Sequence, residues 1–136
     1  MRVDDDEKIR EILKTARSIA VVGASPKPWR DSRSIARFLL EQGYTIFPVN
    51  PSYTEIDNQH CYPTLQHIPV SIDVVDVFRR PDELLPIVDD AIAIRARVLW
   101  CQLGVVNEEA AERAVNAGMD VVMDHCIAIE YRRLMR

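Results

Sequence analysis

Gly23, Ser25, Lys27, Arg30 and Ser32 lie within ten positions of one another, in the stretch "AVVGASPKPWRDSRS", and their types suit a phosphate. Gly23 ends an apolar run, where a glycine permits a tight turn and a close approach of an anion to the main chain. A helical pattern follows, and the free N–H groups of a helix N-terminus attract anions. Ser25 and Ser32 add hydroxyl donors, and Lys27 and Arg30 add positive charge. Only one of the three glycines of a dinucleotide-binding fingerprint is present, however. The next strand ends in Val49-Asn50-Pro51, where NAD-binding folds place an acid against the ribose hydroxyls. A carboxylate repels a phosphorylated ribose and a neutral amide does not. The loop therefore leaves room for coenzyme A, whose adenosine carries a 3′-phosphate.

Two more strand ends carry polar chemistry. Phe78-Arg79-Arg80 puts an aromatic ring and two cations after a buried run. Cations at a helix N-terminus oppose its dipole unless an anion is near. A cation here suits a pyrophosphate, and the ring or main chain suits an adenine. Gln102, ahead of Gly104, offers an amide, whereas Trp100 reads as core. Asp124-His125-Cys126 has the residue types of nucleophilic catalysis, but three consecutive residues do not converge on one point, so no catalytic residue is assigned. His60 and His67 read as surface residues. The three cysteines have no zinc spacing, and no metal site is assigned.

These positions need a frame, and the pattern supplies one. Apolar runs at 18–23, 44–49, 73–78, 97–104 and 119–124 read as buried strands. Helical periodicity covers 4–16, 32–43, 80–94, 107–118 and 128–136, with Asp31 or Ser32 as the N-cap of the second helix. Gly43 and Gly118 close helices. The stretch 49–72 is irregular, with a short helix near Leu65. Strands alternating with helices predict an α/β protein with a doubly wound, five-stranded parallel sheet between two helical layers. In such sheets ligands bind beyond the carboxyl ends of the strands, where all of these residues fall.

Composition bounds the function. A chain of 136 residues, 48% apolar, suits one domain over residues 1–136. The net charge of −4 argues against broad binding to nucleic acid or anionic membranes. No apolar run reaches membrane-spanning length and no signal-peptide pattern opens the chain, so the cytoplasm is the expected compartment. A protein partner or a homo-oligomer stays open.

The ordered series "VVGAS", "GY-x-x-x-PVNP", "YPTL", "VDVFRRP", "W-x-QLGVVNEEAA" and "AGMDVVMD" closely resembles the small stand-alone CoA-binding proteins. These are similar to the N-terminal CoA-binding domain of succinyl-CoA synthetase α subunits. The resemblance implies a Rossmann-like fold that binds coenzyme A or an acyl-CoA, with the pyrophosphate at the first loop and no assigned reaction. It implies contacts from Gly23, Ala24, Ser25, Arg30 and Ser32, then Val49, Asn50 and Pro51, then Phe78 and Arg79, and finally Gln102. Ser52 departs from the family's usual cation, so the resemblance implies one charged contact fewer to the 3′-phosphate. Asn58 and Arg95 stand where glycines are common, and His125 where a basic residue is. Two other functions fit the same frame: an NAD(H)-binding redox sensor, and a small acyl-CoA-processing enzyme using the thiols or His125.

Overall fold

Short runs rich in Val and Ile, buried on both faces, favour parallel pairing covered by helices on each side. The computed structural model, which describes residues 1–135, has that arrangement. Its strands in chain order are β1 (Ser18–Val22), β2 (Thr45–Val49), β3 (Glu55–Ile56), β4 (Gln59–His60), β5 (Val74–Val77), β6 (Val98–Cys101) and β7 (Asp120–Met123). Five form one sheet in the order β2-β1-β5-β6-β7, and every pairing in it is parallel. From β1 the chain crosses to β2 on one side and later returns to β5 on the other. The loops leaving β1 and β5 therefore diverge, and a crevice opens between them.

The helices are α1 (Asp6–Thr15), α2 (Asp31–Glu41), α3 (Leu84–Ala93), α4 (Glu108–Asn116) and α5 (Ile127–Leu134). Strand alternation divides the core in two. Val75 and Val77 pack with Leu84, Val88, Ala110 and Ala114 of α3 and α4. Val74, Val98 and Trp100 pack with Ile9, Leu39 and Ile127 of α1, α2 and α5. Each fully buried Val, Leu or Ile side chain among these contributes about 1.5–3 kcal/mol. Trp100 is core, as expected, and its indole N–H donates to the His125 carbonyl at 2.8 Å.

Local chemistry explains where the helices start. Asp5 and Asn107 accept from the main-chain N–H of Lys8 and Ala110 and so cap α1 and α4. The second helix differs from expectation: Asp31 is already helical, and Arg30 takes the N-cap position with no side-chain cap bond. Pro81 begins a 3₁₀ turn (Pro81–Glu83) that leads into α3. In the irregular stretch, the short helix near Leu65 is a 3₁₀ turn, Leu65–His67. That stretch also holds the unforeseen antiparallel hairpin β3–β4, turned by Asp57 and Asn58 at φ of 50° and 65°. The last predicted helix runs through Leu134, and Arg136 lies outside the described residues.

Candidate ligand-binding groove

The carboxyl ends of the strands border a groove of about 650 Å³. Gly23, Ser25, Lys27, Arg30 and Ser32 line it from the β1–α2 side. Asn50, Phe78, Arg79 and Gln102 line it from the ends of β2, β5 and β6. Val49 and Pro51 instead line a neighbouring apolar groove of about 410 Å³, which shares Gly23 and Arg79 with the first. Ala24 is buried and faces a third cavity behind α2, together with Ser25 and Ser32. The sequence-predicted residues thus come to one edge, but they divide between adjoining spaces.

The loop is built differently from a simple main-chain cradle. The N–H groups of Gly23 and Ala24 both donate to the Val49 carbonyl, at 3.0 and 3.3 Å. Gly23 serves its turn by conformation and by space. It sits at φ +89°, and a Cβ there would lie 2.9 Å from Arg79 Cδ and 3.0 Å from the Phe78 carbonyl oxygen. The donors free for an anion come from the first turn of α2, which no side chain caps. Ser25 Oγ accepts from the N–H of Lys27 at 3.1 Å and so shapes the approach to that turn.

Asn50 has a role the sequence did not reveal. Its side-chain amide donates to the Ala24 carbonyl at 2.8 Å, and its side-chain oxygen accepts from the N–H of Ser52 at 2.9 Å. Asn50 therefore fastens the first loop to the second. An aspartate could make only the second of these bonds.

The charge of the groove opposes that of the chain. Lys27, Arg30, Arg79 and Arg80 line it, against Asp31 and Glu83, a local excess of two positive charges on a chain of net −4. The arginines after β5 are not bare cations. Glu83 pairs with Arg79, whose Nε donates to it at 2.6 Å, and also with Arg80 at 3.0 Å. The carboxylate holds the guanidinium groups at the rim and offsets the conflict with the helix dipole noted above.

Sequence reasoning missed Tyr53, Trp29, Leu103 and Glu83, which also line the groove. The four-residue spacing from Arg79 was a readable signal for Glu83. Trp29 is 73% exposed, with Lys27 Nζ 5.9 Å from its ring centroid. The cysteines differ sharply. Cys101 is sealed in the core, and burial pushes its thiol up to about 12. Burial also raises the Cys61 thiol, against a hydrogen bond to the Asn50 carbonyl. Only Cys126 reaches the groove. Its neighbours turn elsewhere: Asp124 accepts from the N–H of Gly104 at 2.8 Å, and His125 Nδ1 lies 3.3 Å from Glu130. Among the described residues no cluster of three or more His, Cys, Asp or Glu could hold a metal ion, and no helix is long and apolar enough to cross a membrane.

Known proteins share this frame. The family model of a CoA binding domain matches residues 17–132. The uncharacterized protein YneT of Bacillus subtilis is 38% identical over 124 residues, covering 91% of this chain and 92% of YneT. A hypothetical protein from Pyrococcus horikoshii superposes with a TM-score of 0.95 at 44% identity, covering 98% of this chain and 94% of that one. An ADP-forming acetate–CoA ligase of Archaeoglobus fulgidus is 28% identical over 122 residues, which are 82% of this chain but 18% of the ligase.

Proposed function

Since this chain belongs to the CoA binding domain family, we propose that it binds coenzyme A, or an acyl-CoA, across the carboxyl edge of the sheet without chemistry of its own. The observation that carries this is the uncapped N-terminus of α2, opening into a groove with an excess of cations. A pyrophosphate there accepts hydrogen bonds from the first turn of α2 and meets Arg30 and Arg79. The adenine takes the apolar groove beside Val49 and Pro51, where Pro63, Leu65 and Pro86 provide apolar walls. The pantetheine arm then runs over Gln102 and Leu103 toward Cys126. The chain matches less than a fifth of the acetate–CoA ligase, so its likeness to that enzyme supports the binding module and not the ligase reaction.

Calorimetric titration of the full chain tests the assignment. CoA is expected to bind, and NAD to bind at least about tenfold more weakly, a difference of about 1.4 kcal/mol. NAD binding as tight as that of CoA would favour the redox-sensor alternative instead.

The 3′-phosphate gives a second measurement. Ser52 is exposed at the groove wall, next to the Asn50 that holds the two loops together. Ser52→Lys places a cation there, and an exposed charge contact is worth less than about 1 kcal/mol. CoA should therefore tighten by up to about fivefold, while dephospho-CoA stays within about twofold. Equal tightening of both ligands would mean that position 52 does not meet the 3′-phosphate.

A further inference from the structure

Asp76 is an acid in the wrong place for folding alone. It lies in the middle of the central strand β5, in register with Val21 on one side and Trp100 on the other, and none of it is exposed. Its Oδ1 accepts from the side-chain amide of Gln102. Its Oδ2 is sealed from solvent with no hydrogen-bond partner among the described residues. A half-satisfied buried carboxyl costs stability, and an aliphatic side chain would fill this core position at lower cost.

What Asp76 gains is control of one side chain. Gln102 stands just past the end of β6, is 6% exposed, and forms part of the groove wall. An amide has a donor end and an acceptor end, and an unheld glutamine presents either. Asp76 takes the donor end from below. One N–H of the amide is thereby fixed toward Asp76, and the acceptor end, Oε1, which takes no hydrogen bond among the described residues and is not sealed from solvent, is turned toward the groove.

We propose that Asp76 is a positioning residue: it holds Gln102 so that the glutamine oxygen faces the ligand as an acceptor for an amide N–H of the pantetheine arm. This rests on the CoA assignment above. It separates two parts of one ligand, since the adenosine and phosphates bind at the other end of the groove and do not need Gln102.

The test titrates the full chain with CoA and with adenosine 3′,5′-bisphosphate, which has the nucleotide but no arm. Asp76→Val is expected to weaken CoA about five- to tenfold, the worth of one hydrogen bond, and to leave the bisphosphate within twofold. Gln102→Ala should give the same split, and adding Asp76→Val to it should cost nothing more, because the acid acts only through the glutamine. Should the valine prove too bulky to fold, Asp76→Ala removes the same hydrogen bond without crowding, and the same pattern is expected. Unchanged CoA affinity in the Asp76 variants, additive losses in the double variant, or parallel loss of both ligands would each overturn the positioning role. If the parent chain itself binds no CoA, the assignment to CoA falls first and takes this inference with it.

Discussion

Gly23→Val should abolish CoA binding, with affinity lower by about 100-fold or more, while the sheet still forms. Two costs combine at this position. A β-branched residue at φ +89° is strained whatever its surroundings. The new Cβ would also stand 2.9 Å from Arg79 Cδ and 3.0 Å from the Phe78 carbonyl oxygen. Arg79 is a flexible side chain and can swing aside, but only by leaving the path that brings its guanidinium to the groove. The Phe78 carbonyl is main chain and cannot yield without moving the end of β5. The variant thus loses the cation and the shape of the loop together, and each factor of ten in affinity is only about 1.4 kcal/mol. Gly43→Ala is the matched control. Gly43 sits at φ +101°, and a Cβ there would meet nothing within 4 Å, so it carries the strain without the obstruction. It should lower the melting temperature and leave the CoA affinity unchanged. Parental CoA affinity in Gly23→Val would remove the first loop from the site.

How far the groove could be read in advance depends on the kind of signal each residue sends. The five parallel strands announce themselves as apolar runs because both faces of the sheet are covered, and Asp5 and Asn107 mark helix starts by chemistry that acts within one turn. The edge on which the site lies follows from strand direction alone, so Gly23, Ser25, Arg30, Arg79 and Gln102 were legible as neighbours. Side-chain direction is not. Asn50 reads as an amide offered to a ligand, but it ties Ala24 to Ser52. Cys101 and Cys126 both stand at the carboxyl ends of strands, yet one faces the core and the other the groove. The hairpin of Glu55–Ile56 with Gln59–His60 has two residues per strand, too few for any period to register. Asp76 is hidden in a different way: "DVVDVF" reads as a strand whatever its fourth residue is, and only the packing of the sheet shows that the acid is sealed.

That seal has a consequence for stability. Burial pushes the Asp76 carboxyl up to about 8, while its hydrogen bond from Gln102 pulls the other way. In the unfolded chain the same group titrates at about 3.9. Below about pH 4 the acid is protonated in both states and carries no electrostatic penalty. Between about pH 4 and pH 8 the folded protein keeps a proton that the unfolded chain has released, so stability falls as pH rises, by about 1.4 kcal/mol for each pH unit. Above about pH 8 both states are ionised and the loss levels off. Asp6 and Glu108 act in the opposite sense, because Arg133 and Arg2 hold them below the usual carboxylate range. Their contribution is lost only on acidification, outside the window of Asp76. Asp76→Asn keeps the shape and the acceptor for Gln102 but has no proton to lose. Urea denaturation of parent and variant at intervals from pH 5 to pH 9 should therefore give curves that diverge, with the variant's advantage growing steadily toward pH 8 and constant beyond it. A constant difference across the whole range would mean that Asp76 does not hold its proton in the folded chain, and that the core tolerates the carboxylate as an ion.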